Sequence, residues 1–195
     1  MKIENEEILG IESALKASGY PKQVYTDREE DMNEMLSRGS RLGSCRTGAG
    51  HDCYLKGIVV QVDITAPQYW WLQFGRYHFA DIVSSQSKMH KILNINIAKQ
   101  CNEHVWPSTI DNLKKIISFY NSQGKGTHRE KELFQSVIAN TPMGLMLKAR
   151  ITTNYLQLKT MYKQRKHHKL EEWTIFCDWI LELPYFEQLT GVADG

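Results

Sequence analysis

The sequence lacks most of the features that would place it in a specialised class. No apolar run approaches the ~18–20 residues of a membrane-spanning helix; the longest candidates, around Ile58 and Ile175, are interrupted by Gln61, Asp63, Asp178 and Glu182. A soluble chain with no membrane partner is expected. The four cysteines, Cys45, Cys53, Cys101 and Cys177, lie far apart, and the start Met1-Lys2-Ile3-Glu4-Asn5-Glu6-Glu7 has no apolar signal region. A chain of this length does not need disulfide staples, so a reduced, cytoplasmic protein is expected. Excess charge of one sign is missing too: 24 Lys+Arg against 22 Asp+Glu leave a net charge of +2. That is too little for counterion release to make an obvious duplex-DNA binder, so any basic character is local.

Ordinary globular material is present. The 195 residues are 42% hydrophobic and 24% charged, enough to bury a core and to exclude wholesale disorder. A single domain over 1–195 is the expectation, since ~100–200 residues is typical of one. The clearest strand signal is residues 57–65, where Ile58, Val60, Val62 and Ile64 fall on one face at period two. Residues 6–18 and 27–37 read as charged surface helices split by the turn Gly19-Tyr20-Pro21, and 38–51, with Gly39, Gly43, Gly48 and Gly50, reads as a loop. Pro67 then sits where a first helical turn would start. From 68 to 80, helical spacing puts Tyr69, Gln73, Arg76 and Ala80 on one stripe and Trp70, Phe74 and Tyr77 on another.

Helical patterns follow at 89–101, 108–121, 128–139 and 143–150, punctuated by Pro107, Gly124-Lys125-Gly126 and Pro142, with 94–128 read as a helical insertion. Residues 155–183 have no internal Gly or Pro, and Trp173, Phe176, Cys177 and Ile180 repeat at core-facing spacing. In the first half of that stretch the apolar stripe Leu158, Met161, Tyr162 continues into Arg165, with His168 and Lys169 a turn further on. An arginine on such a stripe requires a carboxylate, a subunit neighbour or an anionic ligand, because a buried unpaired charge costs several kcal/mol.

Other chemical motifs are weak. Cys45, His51 and Cys53 offer zinc-type ligands but no second Cys-x-x-Cys closes a tetrahedral site, and no metal is expected. Residues 47–51 contain Gly-x-Gly without the P-loop Lys-Ser/Thr or the full Rossmann glycine set. Ser84, Ser85 and Ser87 followed by Lys88 supply hydroxyls and an ammonium suited to a phosphate or, equally, to a helix end. The basic run 163–169 reads mainly as a solvated face; a non-enzymatic oligomer binding single strands or a protein through it is the less favoured alternative.

The order of features nevertheless resembles one family. Gly50-His51, a strand ending near Thr65, Ala66-Pro67, a helix with Gln73 and Arg76, and a Ser/Lys turn through Lys88 are followed by Asn154, Arg165 eleven residues on, a His/Lys pair, Glu171-Glu172-Trp173 and Pro184-Tyr185-Phe186. This is similar to the flavin-dependent thymidylate synthases over roughly 48–92 and 137–189. The family signature is Arg-His-Arg-x-x-Ser-x-Asn-Glu-x-Ser-x-Arg-Tyr. Laid on without gaps, only Arg76 is identical; Tyr77, His78, Asp81, Val83, Ser84, Gln86, Lys88 and Met89 replace the rest, and Ile138 stands where the family has a nucleotide-binding arginine.

The resemblance implies an α+β fold, an antiparallel sheet backed by long helices, assembled as a homotetramer with sites between subunits. It implies an FAD-dependent methyltransferase of nucleotide biosynthesis, with reductive methylation of dUMP or a related pyrimidine nucleotide using methylenetetrahydrofolate and NADPH. Position by position, Gln73 and Arg165 would hold the nucleotide at the catalytic centre, with Ser85, Ser87 and Lys88 at its phosphate. His51, Arg76, His78, Asn154 and His168 or Lys169 would contact the flavin. A homologue that kept the fold, changed the chemistry and binds nucleotide, nucleic acid or protein as an oligomer is the alternative.

Overall fold

A computed structural model describes residues 1–23, 30–123 and 126–192. In chain order the elements are β1 (Lys2–Leu9), α1 (Ile11–Ala17), a 3-10 turn (Tyr20–Lys22), α2 (Met32–Gly43), a 3-10 segment (His51–Gly57), β2 (Val59–Pro67), α3 (Gln68–Phe74), β3 (Asp81–Ser85), α4 (Lys88–Lys91), α5 (Ile97–Gln100), α6 (Pro107–Asn121), α7 (His128–Ala139), β4 (Met146–Asn154), α8 (Tyr155–Arg165), α9 (Glu171–Glu182) and α10 (Phe186–Thr190). The strands pair antiparallel in the order β1-β2-β4-β3. Helices back the sheet, as the resemblance implied.

Strand β2 forms where its alternation predicts. Ile58, Val60, Val62, Ile64 and Ala66 are fully buried, while Gln61, Asp63 and Thr65 face the other way. On that outer face Lys148 meets Glu4 at 2.9 Å and Asp63 at 3.1 Å, and Arg150 meets Asp63 at 3.4 Å and Glu7 at 2.8 Å. Glu4 and Asp63 stand opposite each other in register, and the two cations of β4 offset their repulsion. Trp70, Phe74, Trp173 and Phe176 pack the inner face with ring centroids 4.9–6.2 Å apart.

Several sequence expectations give way to tertiary context. Residues 2–9 are a strand, and only Ile11–Ala17 of the expected helix 6–18 is helical; Gly10, at φ 83, makes the corner between them. Ile3 and Ile8 are five apart, so a regular strand would point them to opposite faces. A bulge between Glu4 and Glu7, with Asn5 at φ 56, inserts one residue and lets both pack on the core. The expected second helix begins at Asp27, outside the described residues; α2 continues through Gly39 to Gly43, where a loop was expected. Both glycines serve close approach: a Cβ at Gly39 would meet Leu15 at 2.5 Å, and one at Gly43 would meet the Leu189 carbonyl oxygen at 1.8 Å.

The helix at 68 stops at Phe74, with Pro67 as its N-cap, and the serine segment that follows is the edge strand β3. Residues 89–101 make only the short α4 and α5. The expected helix at 143–150 is replaced by β4, whose β-branched Ile151 and Thr152 pair with both β2 and β3 and whose Thr153 pairs with β2. Residues 155–183 break into α8 and α9 around 166–170, where the His168 Nδ1 accepts the Leu170 N–H at 3.1 Å. Around the insertion, α6 inside it and α7 just after it match expectation, while Gly124 and Lys125 lie outside the described residues. Ile92, Ile97, Leu113, Val137 and Leu145 form a second, smaller apolar cluster there.

The glycines of α2 give the first prediction. Alanine is the better helix former by ~1 kcal/mol, but at Gly43 its methyl would overlap a backbone carbonyl. Gly43→Ala is expected to lower stability in urea denaturation by about 1–3 kcal/mol or more, the scale of overpacking. Gly75→Ala, whose Cβ meets only the Trp71 carbonyl at 3.4 Å with φ −62, is expected to be neutral or slightly stabilising.

Candidate functional site

Helix α3 presents a polar stripe, Tyr69, Gln73 and Tyr77, to the corner where α8 ends and α9 begins. These positions are four apart, so they share one face of the helix and its C-terminal turn. Gln73 sits at the centre. Its Oε1 accepts the Trp173 indole N–H at 2.9 Å and the Arg165 Nη1 at 3.3 Å. Trp and Arg are donors only, so the carboxamide orientation is determined and its NH2 points away from both.

Arg165 is held without a counter-charge. Its Nε donates to the Tyr77 hydroxyl at 2.8 Å, and that hydroxyl donates to Gln164 Oε1 at 3.1 Å. The guanidinium carbon lies 4.5 Å from the Trp173 ring centroid and 5.6 Å from that of Tyr77. Arg165 is half-buried, and among the described residues no carboxylate forms an ion pair with it. Neutral acceptors and π faces fix its position, leaving its charge and its Nη2 protons available. His168 stands 6.2 Å from Trp173, ring to ring, and burial and then the neighbouring Arg165 hold its pKa below the usual 6.5. Its Nδ1 is already an acceptor for Leu170, so the neutral ring carries its proton on Nε2.

Beside this corner a cavity of about 570 Å³ is lined by Met1, Tyr69, Asn102, Lys169 and Glu172 among others. Asn102 donates to the Tyr69 hydroxyl at 2.9 Å, and that hydroxyl donates to Glu172 Oε1. Burial and the carboxylate together raise the Tyr69 pKa well above the usual phenol range, so the phenol stays protonated. The insertion thus reaches the site through Asn102.

The structure therefore brings together Gln73, Arg165 and His168, and puts Lys169 on the adjoining cavity. It does not bring the other expected residues to the same point. Asn154 caps α8, accepting the Gln157 N–H at 2.9 Å. It is eleven residues from Arg165, or about 16 Å along the helix axis at 1.5 Å per residue. Lys88 donates to Gln68 Oε1 at 2.9 Å, at the opposite end of α3 from Gln73. His51, Arg76, His78 and Ser85 are exposed, and Ser87 is partly so. Around Cys45, His51 and Cys53, as elsewhere among the described residues, no three His, Cys, Asp or Glu side chains are grouped to hold a metal. Tyr77, Trp173, Asn102 and Glu172 were not among the expected site residues. Glu172 and Trp173 carried a signal as part of the Glu171-Glu172-Trp173 run, and Tyr77 one as four residues from Gln73, although its helical spacing also aligns it with Trp70 and Phe74.

The donor set suits an anionic, planar ligand. A half-buried guanidinium without a carboxylate fits a phosphate or an anionic ring oxygen. No helix among the described residues is long and apolar enough to cross a membrane.

Comparison with known proteins finds the same fold. The flavin-dependent thymidylate synthase ThyX from Helicobacter pylori, solved with FAD and dUMP, superposes with a TM-score of 0.76 at 14% identity, covering 97% of each chain. A UMP/dUMP methylase, PolB from Streptomyces cacaoi, solved with 5-Br dUMP, gives a TM-score of 0.66 at 10% identity, covering 98% of this chain and 95% of that one. No protein-family model matches the sequence, and no curated protein matches it. The resemblance to flavin-dependent thymidylate synthases thus holds at the level of the fold.

A pH dependence follows from His168. Its pKa is depressed in the folded chain, so the unfolded chain binds a proton that the folded one refuses. Its contribution to stability is complete above the unfolded value and is lost as pH falls through the folded one. Urea denaturation at about pH 7.5 and about pH 5.5 is expected to show a drop on acidification that shrinks in His168→Gln. An identical drop in both proteins would contradict this.

Proposed function

We propose that the chain is a flavin-dependent methyltransferase that binds a pyrimidine nucleotide, dUMP or a close relative, at the α3–α8–α9 corner and adds a methyl group at C5. In this reading methylenetetrahydrofolate supplies the carbon and NADPH the reducing equivalents. The observation that carries it is Arg165, a half-buried guanidinium held by Gln73, Tyr77 and Trp173 with no carboxylate paired to it among the described residues. The shared fold with proteins whose structures hold FAD and dUMP supports it.

Bound FAD would supply the hydride and one-carbon transfer chemistry; the chain's own residues would place and charge the reactants. Arg165 would hold the nucleotide by its remaining N–H groups. The Gln73 NH2, turned outward because its oxygen is taken by two donors, would meet a pyrimidine carbonyl. Lys88, Ser85 and Ser87 would serve the phosphate, with an ammonium in place of a guanidinium fork and a correspondingly looser grip. His51, Arg76, His78, Asn154 and His168 or Lys169 would face the flavin. His168 would act as a neutral donor through Nε2.

Asn154 and Lys88 stand at helix ends away from Arg165 and Gln73, and in this reading a second copy would complete the site. The edge strand β3 is exposed along its whole length, with Ile82 at 47% and Val83 at 60% exposure, and Phe79 beside it is at 65%. An apolar edge of this kind is normally covered. A homo-oligomer, in our reading a tetramer, would cover it and bring Ser85 and Arg76 against a neighbour's corner.

The test begins with the visible absorption of the protein purified without added cofactor, repeated after soaking with FAD and desalting. A retained flavin band and selective binding of dUMP by calorimetry are expected. Arg165→Met is expected to weaken dUMP about tenfold or more, since a charged hydrogen bond contributes ~1.5–3 kcal/mol. A protein that retains no flavin and binds no pyrimidine nucleotide would end this reading.

A further inference from the structure

Helix α8 carries a second inward-facing cation that the proposed chemistry does not use. Lys159 is 0% exposed, and its ammonium has three protons and three acceptors: the carbonyls of Gly43 at 2.6 Å and Cys45 at 3.0 Å, and Asp52 Oδ2 at 2.8 Å. Asp52 is itself 2% exposed. Gly43 closes α2, whose last carbonyls have no intrahelical partner and lie at the negative end of the helix dipole. Asp52 opens the 3-10 segment. One nitrogen therefore holds both ends of the connection 44–50.

The connection has little else to fix it. Residues 46–51 are exposed, and no atom lies within 4 Å of where a Cβ would stand on Gly48 or Gly50, whose φ values are +92 and +82. Ser44 and Cys45 bond back to α2 through Ser44 N–H to Ser40 O at 3.0 Å and Cys45 N–H to Leu42 O at 3.4 Å, but beyond them the backbone bonds are only the Ala49 N–H to Arg46 O at 3.0 Å and the Cys53 N–H to Gly50 O at 3.4 Å among the described residues. His51 immediately precedes the clamped Asp52. A buried ion pair is a poor device for stability alone, since apolar pairs of similar volume often replace one without loss. What it adds is a defined position.

We propose that Lys159 and Asp52 are positioning residues, a buried clamp that holds the 44–51 connection and His51 in place for ligand contact. The functional half of this inference rests on the proposed flavin reading of His51; the mechanical half does not. Lys159 acts through Asp52 and two carbonyls and touches no reactant. Lys159 follows Tyr155 by four residues and precedes Tyr162 by three, so it shares a helix face with both.

The experiment compares wild type, Asp52→Asn, Lys159→Met and the double variant Asp52→Leu/Lys159→Met by melting temperature, trypsin cleavage after Arg46, and affinity for FAD and for dUMP. Lys159→Met is expected to melt lower and to be cut at Arg46 about tenfold faster, as opening of the connection is freed. The double variant, with no lone buried charge, is expected to recover most of the melting temperature. Its cleavage should stay fast and its FAD affinity about tenfold weak, with dUMP, held by Arg165 and Gln73, within about twofold. Recovery of cleavage resistance and FAD affinity along with stability would reduce the pair to a structural one and overturn the proposal. Should wild type bind no FAD, the flavin reading fails, and cleavage after Arg46 alone decides the clamp. Where Lys159→Met does not fold, Asp52→Asn and the double variant carry the same comparison.

Discussion

Helix α8 must bring two cations, Lys159 and Arg165, off the solvent side, and the different ways the chain meets them organise the rest of the molecule. They are six residues apart, so at about 100° per residue they point in different directions around the helix. Lys159 meets the end of α2 and the start of the 3-10 segment, and Asp52 neutralises it. Arg165 meets α3 and α9, where it finds an amide oxygen, a phenol and an indole face but, among the described residues, no carboxylate. One cation is paired inside the protein; the other is positioned with its charge unspent. Structural burial explains the first fully and the second only in part.

Where side-chain pattern and burial coincide, the sequence is readable. The alternation in β2, the stripe Trp173, Phe176, Cys177, Ile180 in α9 and helices α6 and α7 all match their expectations, because each faces one core at one period. Strands β1 and β4 are opaque for physical reasons. In β1 the two inward isoleucines are out of phase until a bulge corrects them. In β4 the inward positions are Ala149, Ile151 and Thr153, a stripe with little apolar bulk, and the outward Lys148 and Arg150 find their ion-pair partners only on β1 and β2. The break between α8 and α9 contains no Gly or Pro; a histidine nitrogen capturing a backbone N–H makes it.

The site was legible to the same extent. Gln73 and Arg165 stand out because polar residues on aromatic stripes must be partnered, and here they partner each other. Tyr69 and Glu172 are 103 residues apart in sequence, and nothing local announces their contact. Lys159 went unread in the sequence, and Asp52, its partner, follows a glycine-rich stretch that reads as surface. A buried counter-ion is a long-range fact, carried by the fold and not by the neighbourhood of either residue.

Charge distribution links the fold to the functional reading. The sheet's outer face gathers Glu4, Glu7, Asp63, Lys148 and Arg150 into contacts that lower the carboxyl pKa values of Glu4 and Asp63 and raise that of Lys148, so charge there is compensated. Around the end of α8 the balance is different. Lys163, whose pKa is lowered by burial and by Lys159, stands with Arg165 and Lys169 where the helix dipole favours cations. A helix end offers only about half a negative charge, less than these side chains bring. With a net charge of +2 on the whole chain, the excess is a local concentration, set against Glu171 and Glu172 in the first turn of α9, and it is the feature on which the nucleotide reading rests.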